Sequence, residues 1–165
     1  MVEFSEFLEE SSSSSPPDHG QSSSTAGYRY DIFLSFRGVD TRHSFTDHLH
    51  KALLDANIST FLDDEEIETG EDLKPELESA IKASRASIIV LSKNYATSTW
   101  CLDELVLILE QRITSNHIVI PMFYHVEPAH VRWQEGSFGD AMTKHKQTME
   151  EETDTYHQMN IYLIY

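Results

Sequence analysis

The sequence predicts an α/β fold in which one parallel sheet carries helices on both faces, a doubly wound arrangement. Short apolar runs typical of strands alternate along the chain with stretches whose apolar residues recur at helical spacing. Strands and helices that alternate in this way form βαβ units, and such units build parallel sheets. With 165 residues, 39% of them hydrophobic, the chain can form one domain with its own core and has no room for a second.

Four strands are predicted, because each of four short apolar runs is bounded by turn residues. The first covers residues 30–36, is rich in aromatic side chains and ends at an Arg-Gly turn. The second covers residues 58–62. The third, residues 86–91, is the clearest, since it is uninterrupted and rich in β-branched residues. The fourth covers residues 117–124 and contains Pro121, which indicates an edge strand or a bulge.

Three helices are predicted between these strands. Apolar residues fall on one helical face at positions 45, 49, 52, 53 and 56, and again at positions 73, 77, 80 and 81. The second of these helices contains Pro75, which a first helical turn tolerates. The third, residues 101–113, is apolar almost all round and is therefore expected to be buried, with Ser98 or Thr99 as its N-cap.

The formal charge of −16 belongs to three segments rather than to the body of the domain. Residues 1–27 hold five acidic residues, residues 148–165 hold four, and residues 63–78 hold nine. The remainder is close to neutral, which disfavours the Lys- and Arg-driven binding of nucleic acids and anionic membranes. No apolar run approaches the roughly 18 residues of a membrane-spanning helix. We therefore expect neither nucleic acid nor a membrane as a partner.

Composition divides the chain into a disordered Ser-rich leader at residues 1–27, a folded domain at 28–147 and an acidic, atypical tail at 148–165. The amino terminus lacks the basic and then apolar pattern of a secretory signal. Cys101 is the only cysteine, so neither an internal disulfide nor a zinc cluster is expected, and no metal site is predicted. These features indicate a cytoplasmic protein, with the nucleus as a second compartment.

Ligands of such sheets bind outside the carboxyl ends of the strands. The loops at that edge contain no glycine-rich dinucleotide motif and no Walker A motif. After the first strand, Arg37 and Arg42 surround a turn into a helix, where arginines and a helix N-terminus favour a phosphate group. A structural role stays open at this position, because Asp40 could pair with one of these arginines and brace the turn.

After the third strand, Trp100 to Glu104 open the long apolar helix. Acidic residues in a first turn commonly interact only with the helix dipole, so spacing alone favours a structural role here. Spacing does not distinguish Asp103 from Glu104. A first-turn location would help to keep Glu104 ionised.

Four blocks of sequence, taken in order, resemble the TIR domain of plant intracellular immune receptors. The blocks are YDIFLSFRGVDTRHSFTDHLHKAL, DDEEIETGEDLKPELESAI, NYATSTWCLDEL and PMFYHVEPAHVRWQEGSFGDAM. The resemblance runs over residues 28–146 without a large gap. It implies a flavodoxin-like sheet of five strands, of which four are clear here and the fifth is missing or replaced by the C-terminal tail.

The same resemblance implies an enzyme, an NAD hydrolase (NAD nucleosidase) that signals in plant innate immunity when it self-associates. The family's catalytic glutamate lies four residues after the tryptophan of the third block, which is Glu104 here. Arg37 would face a phosphate, and Trp100 would offer a flat face to a base. NAD is the substrate in this interpretation, and no cofactor is expected. The implied substrate-binding residues are Phe36, Arg37, Gly38, Thr69, Gly70, Ser98 and Trp100.

The implied partners are other TIR domains, in further copies of this chain or in immune receptors. Residues 63–72 match a loop with which assembled members of the family reach a neighbouring protomer. The rival interpretation is a non-catalytic adaptor or decoy that binds full-length TIR receptors. It is favoured by Glu68-Thr69-Gly70, where many relatives carry basic residues before the glycine, and by the atypical C-terminal part. The implied interface residues are His48, Arg132, Gly136 and Phe138.

Overall fold

The computed structural model of this chain describes residues 27–62 and 75–149, with residues 145–149 described by their backbone alone. The predicted leader up to residue 26, the acidic segment 63–74 and the tail from residue 150 lie outside the described residues. None of the helices within the described ranges is long and apolar enough to cross a membrane.

The predicted parallel sheet is confirmed, with four strands in the described residues in the order β2-β1-β3-β4. All three neighbouring pairs are parallel. Pro121 pairs in register with Ile89, and its strand forms one edge of the described sheet, as the proline predicts. The strands are β1 (Tyr30–Phe36), β2 (Thr60–Leu62), β3 (Ser84–Ser92) and β4 (Ile118–Tyr124).

The predicted helices between the strands are also present, and two further helices follow β4. Apolar spacing alone does not predict these last two. A π-type turn at Arg42–Thr46 and a 3₁₀ turn at Tyr95–Thr97 precede the second and fourth helices. The helices are α1 (Gly38–Thr41), α2 (Asp47–Asp55), α3 (Pro75–Lys82), α4 (Thr99–Ser115), α5 (Pro128–Trp133) and α6 (Gly136–Met149).

Side chains alternate between the two faces of the sheet, and each face carries its own core. On the first, which we call the α4 face, Phe33 and Ile89 pack with buried residues of α3, α4 and α6. On the second, the α2 face, Leu34 and Val90 pack against partly buried residues of α2 and the π-type turn. Helices therefore cover both faces, which is the doubly wound arrangement.

Candidate functional site

The carboxyl edge of the sheet brings together the segments that follow β1 and β3. The Cys101 Sγ lies 3.5 Å from the carbonyl oxygen of Phe36, a weak hydrogen bond that joins the start of α4 to the end of β1. Thr69 and Gly70, predicted for the same pocket, lie outside the described residues. The predicted residues that lie on these two segments are Phe36, Arg37, Gly38, Ser98, Trp100 and Glu104.

Ser98 is the N-cap of α4. Its Oγ accepts a hydrogen bond from the backbone N–H of Cys101 at 3.3 Å, so the cap is Ser98 rather than Thr99. Because α4 begins at Thr99, Glu104 lies in the second turn and not in the first. The expected help from the helix dipole in keeping Glu104 ionised is therefore wrong, since that effect fades beyond the first turn.

Glu104 is buried, with 3% of its surface exposed, and its carboxylate accepts a hydrogen bond from β1. Its Oε2 accepts a hydrogen bond from Ser35 Oγ at 2.5 Å. Ser35 Oγ also lies 2.9 Å from the hydroxyl of Tyr95, and that hydroxyl lies 2.9 Å from the carbonyl oxygen of Cys101. Asp103 is only half-buried, so the inward-facing carboxylate of this pair is Glu104.

Tyr95 is fully buried in the 3₁₀ turn. Burial raises the pKa of its phenol well above the ordinary value, and the neighbouring Cys101 and Glu104 act in the same direction. The hydrogen bond with Ser35 opposes this rise without cancelling it. Tyr95 therefore remains neutral and keeps one hydrogen to donate.

The turn after β1 is braced by Asp40 through hydrogen bonds from Ser92 and Asn94, whereas the structural alternative predicts a pair with an arginine. Its carboxylate accepts hydrogen bonds from Ser92 Oγ at 2.5 Å and from Asn94, through the backbone N–H at 2.9 Å and Nδ2 at 2.8 Å. Burial alone would raise the pKa of Asp40, but these bonds and the nearby charge of Arg37 outweigh it and lower the pKa. Asp40 thus ties the turn that carries Arg37 to the loop after β3.

Aromatic side chains lie on both sides of this edge. The guanidinium of Arg42 lies over the ring of Phe36, 5.0 Å from its centroid, which is a cation–π contact. Trp100 is partly buried against the core of the α4 face. Its indole Nε1 is buried and meets no hydrogen-bond acceptor among the described residues. An unsatisfied buried donor costs free energy, so this N–H is suited to an acceptor atom of a ligand.

Three of the four predicted interface residues are exposed. They are His48 on α2, Arg132 on α5 and Gly136 at the start of α6, where a φ of +58° suits glycine. Phe138 is 1% exposed and lies in the core of the α4 face. Its predicted role as a direct interface contact is therefore corrected, because it packs α6 onto the domain together with Met142, four residues further along the same helix face.

Spacing along the chain does not identify Ser35 and Tyr95 as neighbours of Glu104. Alternation along β1 puts Ser35 on the same face as Phe33, which is a core position. A small polar side chain at such a position needs a buried hydrogen-bond partner. That requirement is the signal that points to Ser35. The identity of the partner depends on how α4 lies over the sheet.

Comparison with known proteins gives consistent results. A model of the TIR domain matches residues 29–159. The disease resistance protein RPV1 of Vitis rotundifolia is 52% identical over 147 residues, which are 89% of this chain and 10% of that protein. The TMV resistance protein N of Nicotiana glutinosa is 46% identical over 142 residues, which are 86% of this chain and 12% of that protein. The chain thus spans about a tenth of the length of these relatives.

A solved structure agrees with the sequence comparisons. The TIR domains in the activated Roq1 resistosome, which directly recognizes the pathogen effector XopQ, align with a TM-score of 0.71 and 45% identity. The alignment covers 82% of this chain and 81% of that chain. The fold is therefore shared with a TIR domain taken from an assembled immune receptor, at 45% sequence identity.

Proposed function

This chain belongs to the TIR domain family, of the kind found in plant disease resistance proteins, and from that premise we propose that it cleaves NAD when copies of it associate. The products would be nicotinamide and ADP-ribose-type compounds that signal infection in the cytoplasm. The observation that carries the proposal is the position of Glu104, an inward-facing carboxylate at the carboxyl edge of the sheet, held from β1 by Ser35.

One carboxylate is sufficient for this reaction. The bond between the nicotinamide nitrogen and the ribose carbon breaks, and nicotinamide, already a cation in NAD, takes the electron pair and leaves as a neutral molecule. No general acid is needed, in contrast to ordinary glycoside hydrolysis, which uses two carboxylates. The ribose carbon becomes cationic, water adds to it, and the water then loses a proton. An ionised Glu104 would stabilise the developing positive charge or attack that carbon.

The neighbouring side chains suit the rest of a dinucleotide. Arg37 lies at the turn that Asp40 braces, and it would interact with a phosphate. The ring of Trp100 would stack on a base, and its buried N–H would donate to an acceptor atom of the substrate. These contacts with Arg37 and Trp100 are part of the proposed complex with NAD.

The burial of Glu104 sets a condition on the proposal. A carboxylate that is 3% exposed does not reach a substrate until part of the chain that covers it moves away while the bond from Ser35 is kept. We propose that association of protomers opens this edge, so that a dispersed chain has low activity and a clustered chain has high activity. Dilution should therefore lower the turnover per chain.

The test compares Glu104→Gln with Asp103→Asn, two neighbouring isosteric changes that each remove one carboxylate charge. The chains are clustered on a lipid or bead surface through an added tag, and nicotinamide release from NAD is measured. We expect Glu104→Gln to lower kcat by about 100-fold or more, as for loss of a transition-state charge stabiliser, and Asp103→Asn to retain most activity. Circular dichroism confirms that both variants fold. Equal activity of the two variants would contradict the role of Glu104.

The burial of Glu104 also favours a second candidate function, a non-catalytic adaptor that modulates larger TIR receptors. In that case the clustered wild-type chain releases no nicotinamide, yet it changes the signalling of a co-expressed TIR receptor. Glu104→Gln then signals as well as the parent. Substitution of the exposed His48 on α2 abolishes the effect. Measured nicotinamide release by the wild-type chain would exclude the adaptor as a complete account.

A further inference from the structure

We propose that Ser35 and Tyr95 are positioning residues, whose hydroxyl groups hold the Glu104 carboxylate in the orientation that the cleavage of NAD requires. The inference rests on the proposed function, because it concerns the same carboxylate. Neither residue would touch the substrate. Each would act through Glu104.

The geometry is a continuous line of oxygen atoms through the core. Glu104 Oε2 lies 2.5 Å from Ser35 Oγ, Ser35 Oγ lies 2.9 Å from the Tyr95 hydroxyl, and that hydroxyl lies 2.9 Å from the Cys101 carbonyl. All of these residues are buried. The line joins β1, the 3₁₀ turn and α4, so the position of Glu104 relative to the sheet depends on bonds from two other elements.

A count of hydrogen atoms shows how the line can support a charged carboxylate. Tyr95 has one hydrogen and two acceptors at 2.9 Å, Ser35 Oγ and the Cys101 carbonyl. The carbonyl belongs to α4, where the helix supplies a backbone donor. The phenol hydrogen is directed to the Cys101 carbonyl, so while Ser35 donates to Glu104 it can reach Ser35 Oγ only as a hydrogen shared between the two acceptors. Hydrogen bonds in such a chain polarise and strengthen one another.

The packing alone does not call for these hydroxyl groups. Ser35 shares a face with Phe33 and pairs in register with Ile89, both fully buried. An apolar residue at position 35 and a phenylalanine at position 95 would suit this core without a buried polar group to satisfy. The Ser35 hydroxyl is therefore best explained by the carboxylate that it binds, and the Tyr95 hydroxyl by its contacts with Ser35 and the Cys101 carbonyl.

The first test uses Ser35→Thr and Ser35→Val, which have nearly the same shape and differ in the hydroxyl group. In clustered chains, Ser35→Val should lower kcat about 10- to 100-fold, with a smaller change in KM, because a hydrogen bond to a charged group is lost. Ser35→Thr should restore kcat to within about 3-fold of wild type, since the hydroxyl returns. Tyr95→Phe, which removes a bond between neutral groups, should cost about 3- to 10-fold.

A matched control separates positioning from stability. Ser87→Val also removes a buried serine hydroxyl from the α4 face of the sheet. Ser87, however, bonds His117, which lies just before β4 at the amino ends of the strands, away from the candidate site. It should lower the melting temperature and leave kcat unchanged. Equal kcat values for Ser35→Val and Ser35→Thr, or a higher kcat in Ser35→Val than in wild type, would overturn the proposal.

A second measurement does not depend on turnover. In protein labelled with ¹³C at glutamate carboxyl carbons, the Glu104 resonance is identified by its loss in Glu104→Gln. We expect this resonance to move in Ser35→Val and to return in Ser35→Thr. If wild type releases no nicotinamide but the resonance behaves in this way, the function fails and the positioning stands. An unmoved resonance in Ser35→Val refutes the positioning, whatever the activity.

Discussion

The two faces of the sheet are covered to different extents. On the α4 face, α4 inserts a continuous row of apolar side chains, and Leu102, Leu105 and Ile108 are completely buried. On the α2 face, α2 has no fully buried residue, and its Leu54 is 49% exposed. Amphipathic spacing in α2 and an almost entirely apolar α4 account for the difference. One face is a close-packed interior, and the other is a partly covered surface.

The candidate site takes residues from both faces. Ser35, Tyr95 and Glu104 belong to the close-packed α4 face, whereas Phe36 lies on the α2 face with Arg42 over its ring. Close packing fixes side chains in single rotamers, which suits a group that must be oriented for chemistry. A partly covered face leaves more freedom, which suits residues that adapt to a substrate or a partner.

The largest expected effect separates the two faces directly. Leu105→Ala, which leaves a cavity beneath α4, should lower the free energy of unfolding by about 2–5 kcal/mol. Leu49→Ala on α2 removes a partly buried side chain and should cost about 1 kcal/mol. Urea unfolding followed by tryptophan fluorescence measures both. Similar losses would contradict the difference between the faces.

Gly139 tests how closely α6 approaches the end of α5. A Cβ atom at this position would lie 1.7 Å from the backbone carbonyl oxygen of Gln134, which cannot rotate away like a side chain. Gly139→Ala should therefore cost about 1–3 kcal/mol, although alanine favours helices. Thr143→Ala, on the exposed side of α6, is the control and should be almost neutral. A neutral Gly139→Ala would mean that α6 shifts without cost.

Asp40 tests the link between the loops after β1 and β3. Asp40→Asn should lower the free energy of unfolding at neutral pH by about 1–2 kcal/mol, because charge-assisted bonds from Ser92 and Asn94 are weakened. Because the pKa of Asp40 is lowered in the folded state, its ionised carboxylate stabilises the fold at pH values above the ordinary pKa of 3.8. This contribution is lost as the pH falls through the folded-state pKa. The difference from wild type should therefore shrink in acid. A difference in the free energy of unfolding that does not change with pH would argue against a contribution from the charge of Asp40.

The smallest expected effect is a pH dependence from His117 on the α4 face. Burial lowers the pKa of His117 below the ordinary value of 6.5, although a backbone hydrogen bond opposes the shift. The unfolded chain therefore binds a proton below about pH 6.5. The folded chain binds this proton only at a lower pH. The free energy of unfolding therefore decreases as the pH falls from about 6.5 towards the folded-state pKa. His117→Gln should show a weaker fall between pH 7 and pH 5.5, and an identical fall would exclude this source.

Local sequence patterns predict most of the framework because they report local requirements. The four apolar runs correspond to β1 to β4, and Pro121 lies in a strand at one edge of the described sheet, one of the two positions that a proline indicates. Leu77, Ala80 and Ile81 of α3 are buried as their spacing predicts, whereas α4 is buried along one face only, since its Ile113 is 66% exposed. The two helices after β4 are less evident, since α5 is short and α6 is largely polar apart from Phe138 and Met142.

Local patterns predict the site less completely. The Trp100 to Glu104 spacing identifies Glu104 by resemblance, but neither its burial nor its second-turn position follows from that spacing. For Phe138 the prediction itself is wrong, since this residue is expected at an interface and lies in the core. In both cases the environment of the side chain comes from elements distant in sequence.

The order of strands and helices and the residue types at the carboxyl edge can be read along the chain, because they depend on spacing and on the chemistry of single residues. The bond from Ser35 to Glu104 spans 69 positions, and the bonds from Ser92 and Asn94 to Asp40 span 52 and 54. Such pairs form only when the parallel strands are in register and α4 packs across the sheet. Hydrogen bonding acts at a few ångströms, so the packing of the elements decides which of the polar side chains meet.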